Sequence, residues 1–90
     1  MKFHLGQCVA TRGAIALMER EQVNVLHLLM RHANGDDGDL DPEDKERNRQ
    51  AIASGEERVF SSYILPCGEK LWIITEWDRS VTTVLMPDEY

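Results

Sequence analysis

Three groups of side chains in this sequence have the types and spacing to do chemistry. The densest lies between Asn34 and Glu46 and contains Asp36, Asp37, Asp39, Asp41, Glu43, Asp44 and Glu46. Oxygen-rich clusters of this kind hold Ca²⁺ or Mg²⁺. Set against an EF-hand loop, Asp37, Asp39 and Asp41 fit the first, third and fifth positions. The sixth position, where a sharp turn needs Gly, is Pro42, and the twelfth, where a bidentate Glu is needed, is Asn48. The match fails at both discriminating positions. The plainer expectation is a solvated turn followed by a helix cap, with no metal and no other cofactor.

The second group centres on His32, on the apolar face of a predicted helix one turn before the Gly35-Asp36-Asp37-Gly38-Asp39 loop. One reading is a buried, hydrogen-bonded structural histidine. The other makes His32 a metal ligand or general base with Asp36, Asp39 and Asp44 beside it. A ring N–H donated to a loop carboxylate would tie loop to helix and raise the imidazole pKa. The third group is Glu76, Asp78 and Arg79, at the turn of a predicted hairpin. These would stabilise the turn or form a polar recognition patch at one end of the sheet.

No nucleophile elbow, P-loop, dinucleotide fingerprint or H-E-x-x-H motif is present. Ser61 and Ser62 carry no sequence signature of activation. Cys8 and Cys67 are too few and too far apart for a zinc site or a disulfide framework. With no export signal in Met1 to Gln7, reduced thiols in the cytoplasm are expected.

The elements that must position these residues follow from periodicity and caps. Residues 3–10 read as a first strand with Phe3, Leu5 and Val9 on one face, and Gly6 as a bulge. Thr11 caps a helix over 12–20, whose stripe is Ala14, Leu17 and Met18. Asn24 caps a second over 25–33, with Val25, Leu28, Leu29 and His32 in one arc and Ala33-Asn34-Gly35 as its stop. Asp41-Pro42-Glu43-Asp44 opens a third, polar helix, expected on the surface and ending at Gly55. Strands over 58–65, 70–77 and 81–86, joined by tight turns, make an antiparallel meander. The fold class is α+β: an N-terminal strand, three short helices, then a three-stranded antiparallel meander with the helices packed on one sheet face. The first strand is expected to pair with an edge of that sheet.

Ninety residues make a single domain, 1–90. No apolar run approaches the length of a membrane span. The net charge of −6 is uneven: residues 34–57 carry nine acidic and three basic side chains, whereas residues 1–33 carry two acidic and four basic. A negative chain repels phosphates, so direct nucleic-acid binding is not expected, while a basic protein surface would be attracted.

The segments Leu5-Gly6-Gln7, Val9-Ala10-Thr11, His32, Gly35-Asp36-Asp37-Gly38-Asp39-Leu40, Glu43-Asp44, Asn48, Ser62-Tyr63, Trp72-Ile73-Ile74-Thr75-Glu76, Asp78-Arg79, Thr82-Thr83 and Pro87-Asp88-Glu89-Tyr90 span nearly the whole chain. Together they resemble a family of small bacterial plasmid and mobile-element proteins labelled "plasmid-related" or "type I restriction subunit M". The sequence departs from that pattern at Asp37, where Trp is usual, and at Arg12, where Pro is usual. The resemblance supplies no catalytic residues, and ninety residues cannot hold a doubly wound methyltransferase domain.

Three functions are therefore set against one another. The first is a non-enzymatic accessory protein of a mobile element that binds a protein partner, one version being an anti-defence protein whose acids mimic nucleic acid. The second is a small metal-dependent hydrolase built on His32, Asp36, Asp39 and Asp44. The third is a homodimeric structural protein, joined through an exposed sheet face carrying Trp72 or Trp77.

Overall fold

A computed structural model describes residues 1–90. The elements run β1 (Gln7–Ala10), α1 (Arg12–Glu21), α2 (Val25–Ala33), α3 (Pro42–Ser54), β2 (Val59–Ile64), β3 (Lys70–Thr75) and β4 (Val81–Leu85), ending in a 3-10 turn at Pro87–Glu89. The class is α+β, with three helices and one sheet in the order β1-β4-β3-β2. No helix is long and apolar enough to cross a membrane.

The caps act where the side chains suit them. The Thr11 hydroxyl accepts from the Ala14 N–H, the Asn24 side chain from the Leu26 and His27 N–H groups, and Asp41 from Asp44. Pro42 opens α3, where a missing N–H costs nothing.

The first strand pairs with an edge of the meander as expected, and two features differ from the sequence expectation. The sheet has four strands and is mixed: β2, β3 and β4 form the antiparallel meander, and β1 adds to β4 in parallel. Three helices and two strands separate β1 from β4, so no tight turn dictates their relative direction. The N-terminal strand begins at Gln7 rather than Phe3, because Gly6 turns the chain with φ +65°; a Cβ there would stand 2.3 Å from the Ser80 carbonyl oxygen. The helices pack from one face, the side of the sheet that carries Val59, Ser61 and Tyr63. α1 and α2 cover the face of Tyr63, Leu71, Ile73 and Val84 with Ala14, Leu17, Met18, Leu28 and Leu29. α3 lies along the outer edge of β2, where Ala51 packs with Phe3 and Val59.

The two edges of the sheet are treated differently. Along β2, the Phe60 N–H donates to Asn48 Oδ1 at 3.0 Å and the Phe60 carbonyl accepts from Asn48 Nδ2. One residue pair further, the Ser62 N–H donates to the Asp37 carbonyl at 3.1 Å, and the Ser62 carbonyl accepts from the Asp39 N–H at 2.8 Å. Helix and loop thus occupy the edge that a further strand would take. At β1, the Gln7 and Thr11 N–H groups donate to the Ser80 and Val84 carbonyls. In a parallel ladder this turns the main-chain groups of Cys8 and Ala10 outward, and no strand lies on that side.

Candidate functional site

His32 is fully buried. Its Nδ1 lies 2.6 Å from Ser61 Oγ and its Nε2 lies 2.9 Å from Thr75 Oγ1. Thr75 and Thr82 face each other across the β3–β4 ladder, with hydroxyl oxygens 2.7 Å apart, and Thr82 donates to the Leu5 carbonyl at 2.6 Å. Each hydroxyl has one proton, so the direction of the chain can be worked out. Thr82 spends its proton on Leu5, so Thr75 donates to Thr82. Thr75 therefore accepts from His32, which places the imidazole proton on Nε2 and leaves Nδ1 to accept from Ser61.

Burial pushes the His32 pKa down to about 4; nearby Asp37 pulls the other way, and Arg79 adds to the lowering. The ring is neutral at pH 7, as the proton order requires. Phe3 meets it edge-on, with centroids 5.2 Å apart. A serine hydroxyl within hydrogen-bond reach of an imidazole is the contact a nucleophile and its base would make. Here both groups are sealed under α2 and the sheet, and Ser61 is as buried as His32. The arrangement orders a polar seam in the core and presents no reacting atom to solvent.

His32 makes none of the carboxylate contacts that the sequence suggested, and its pKa moves down rather than up. Asp36 pairs with Arg31 at 2.7 Å, which holds its carboxyl below the usual range, and its carbonyl accepts from Tyr63 Oη at 2.6 Å. Burial pushes the Tyr63 hydroxyl up to about 12. Asp39 pairs with Lys70 at 3.3 Å, and Asp37 with Lys45 at 2.9 Å. Asp44 sits in the first turn of α3, its N–H held by Asp41. No three His, Cys, Asp or Glu side chains converge on a point that could hold a metal ion. Glu43 pairs with Arg47 and Glu46 with Arg49 on the outer surface of α3.

The tightness of the loop explains its glycines. Gly38 lies against β2 with φ +75°, and a Cβ there would stand 1.9 Å from the Ser62 carbonyl oxygen.

Glu76, Asp78 and Arg79 fall in the turn after β3, which ends at Thr75 rather than at residue 77. The Glu76 N–H donates to the Val81 carbonyl. Asp78 accepts from the Ser80 N–H and hydroxyl, which hold its carboxyl below the usual range. Arg79 donates to the carbonyls of Glu57, Glu76, Trp77 and Ala51, stitching the hairpin to the end of α3. Its guanidinium also lies over the Phe3 ring. Trp72 is half-buried between Phe60 and Tyr90, so of the two tryptophans only Trp77 stands exposed.

What the sequence did not single out is the surface beside β1. A cavity of about 240 Å³ there is lined only by apolar residues, among them Val9, Ile15, Val25 and Leu29. Val9, Ile15, Leu26 and Met30 are 40%, 43%, 68% and 46% exposed. The available signal was Leu26 and Met30 themselves, two large apolar side chains flanking the buried stripe of α2. No protein-family model, characterised protein or solved structure matches this chain.

Proposed function

We propose that this chain is a non-enzymatic accessory protein that binds a protein partner at the β1 edge and the apolar groove beside it. The observation that carries the reading is the contrast between the edges: β2 is closed by Asn48 and the acidic loop, while β1 turns the main-chain groups of Cys8 and Ala10 outward. Bare edges pair with other chains, and proteins that do not use them usually blunt them. The setting in a bacterial mobile element rests on the resemblance described above. The side chains first considered for chemistry support the same reading, because His32, Asp36, Asp39 and Arg79 are all engaged in holding the fold.

Recovery of partner from a host lysate tests it. Ala10→Pro removes an outward N–H, which an edge strand tolerates, and Val9→Lys places a charge on the exposed face. Both should lose the partner, while the Asp36→Ala/Asp39→Ala double variant should keep it. Loss confined to the double variant would move the function to the acidic loop. Equal recovery by all would remove it from β1.

A further inference from the structure

The β1 edge has the geometry to pair with itself. We infer that its occupant is a second copy of this chain, with the two β1 strands antiparallel about a twofold axis at Val9. The inference rests on the reading of that edge as a protein contact.

The register follows from which groups point outward. Cys8 and Ala10 are two residues apart and both face away from β4. When Cys8 of one copy lies opposite Ala10 of the other, both outward residues of each strand exchange N–H and C=O bonds. Centring the pair on Cys8 or on Ala10 would leave the other residue opposite Gly6 or Arg12, outside the strand. The favoured register sets Val9 against its own symmetry mate as a non-hydrogen-bonded pair, where side chains approach most closely. Val9 shares its sheet face with Thr83, away from α1 and α2, and is partly exposed. The two four-stranded sheets then become one continuous sheet.

On the helix side, Val25 and Leu29 line the groove with Cys8 and Ala10. Leu26 and Met30 stand next to them on the flank of α2 turned from Arg31, which lies over Tyr63 of β2. This flank extends the apolar surface that a second copy would cover.

Charge selects the same approach. Nine of the sixteen acidic side chains fall within residues 34–57. The acidic loop and α3 of that segment lie along the β2 edge. Joining through β1 leaves the acid-rich edges of both copies at opposite ends of the assembly. Joining through β2 would bring them together. No charged residue lines the β1 groove. A short strand with one apolar ridge belongs to the small class of interfaces, below about 1,200 Å² in total, where weak and reversible contacts are common.

Sedimentation equilibrium of the full chain, combined with thiol cross-linking, tests this. The mass should rise with concentration from 10.3 kDa to twice that value, and Ala10→Pro should hold it at the monomer. In a Cys8→Ser/Cys67→Ser background, Val9→Cys should form an intermolecular disulfide with oxidised glutathione. Gln7→Cys should not, because it would lie about 13 Å from its mate along the strands. Should Ala10→Pro fail to fold, the cysteine pair still decides. A monomer at every concentration with no Val9→Cys cross-link would overturn the self-association. The lysate comparison above would then show separately whether another protein takes the edge. A cross-link by Gln7→Cys equal to that by Val9→Cys would overturn the register.

Discussion

The side-chain amide of Asn48 is paired with the main chain of Phe60 as a neighbouring strand would be, accepting from its N–H and donating to its carbonyl. The same Nδ2 group also reaches the Asp37 carboxylate at 3.2 Å. One polar residue of α3 thereby joins helix, loop and sheet edge. Asn48→Ala leaves the Phe60 groups without these partners and should destabilise the fold by about 1–3 kcal/mol. Asn48→Asp keeps the acceptor but sets a second carboxylate against Asp37, and should cost more. Urea denaturation of the two variants checks the order.

The buried His32 makes stability depend on pH in a defined window. Its folded pKa of about 4 lies below its ordinary value of 6.5, so between these values the unfolded chain binds the extra proton. The contribution is fully present above pH 6.5 and is lost as pH falls toward 4. It amounts to a few kcal/mol, about 3, at 1.36 kcal/mol per pKa unit. Asp36 and Asp78, held below the usual carboxylate range, lose their contributions at lower pH. Denaturation midpoints measured from pH 4 to 7 should fall toward the acid end, and His32→Gln should flatten that fall. Nitrogen chemical shifts of the imidazole at pH 7 should show Nε2 protonated and Nδ1 bare; the opposite tautomer would break the proton order through Thr75 and Thr82.

Gly38 and Gly68 separate a clash from backbone strain. Both have positive φ, but an added Cβ meets the Ser62 carbonyl at Gly38 and nothing within 4 Å at Gly68. Gly38→Ala should therefore cost clearly more than Gly68→Ala, which carries only the left-handed penalty of about 1 kcal/mol. Equal losses in thermal melts would mean that the loop does not press on β2.

Much of the fold was legible because local chemistry decided it. α2 runs from the residue after Asn24 to the one before Asn34, as its cap and stop imply, and Asp41-Pro42 and Gly55 bound α3. The strand pairings of β2, β3 and β4 followed from their tight turns. The placement of β1 and α3 was not legible, because nothing near in sequence determines which edge each takes. The partners of His32 were hidden for the same reason. Ser61, Thr75 and Thr82 could be noticed as polar residues within strands, but only sheet register and helix placement bring them to one ring. The spacing of the acids from Asp36 to Asp44 suggested cation chemistry, whereas Arg31 at the end of α2, Lys45 in α3 and Lys70 in β3 take up Asp36, Asp37 and Asp39 in ion pairs.

Those ion pairs carry their own prediction. With Asp36, Asp37 and Asp39 each engaged by a basic side chain, Mg²⁺, Mn²⁺, Zn²⁺ or Ca²⁺ should leave the melting temperature unchanged, because only a ligand that binds the folded state raises it. A rise that vanished in the Asp36→Ala/Asp39→Ala variant would restore a cation site to the loop.

Amide hydrogen exchange across a concentration series bears most directly on the bare edge of β1. The Phe60 and Ser62 amides, bonded within the chain, should be protected at every concentration. The Cys8 and Ala10 amides should exchange quickly in dilute solution and become protected as concentration rises. Fast exchange at Cys8 and Ala10 at all concentrations would contradict the pairing of this edge with a second copy.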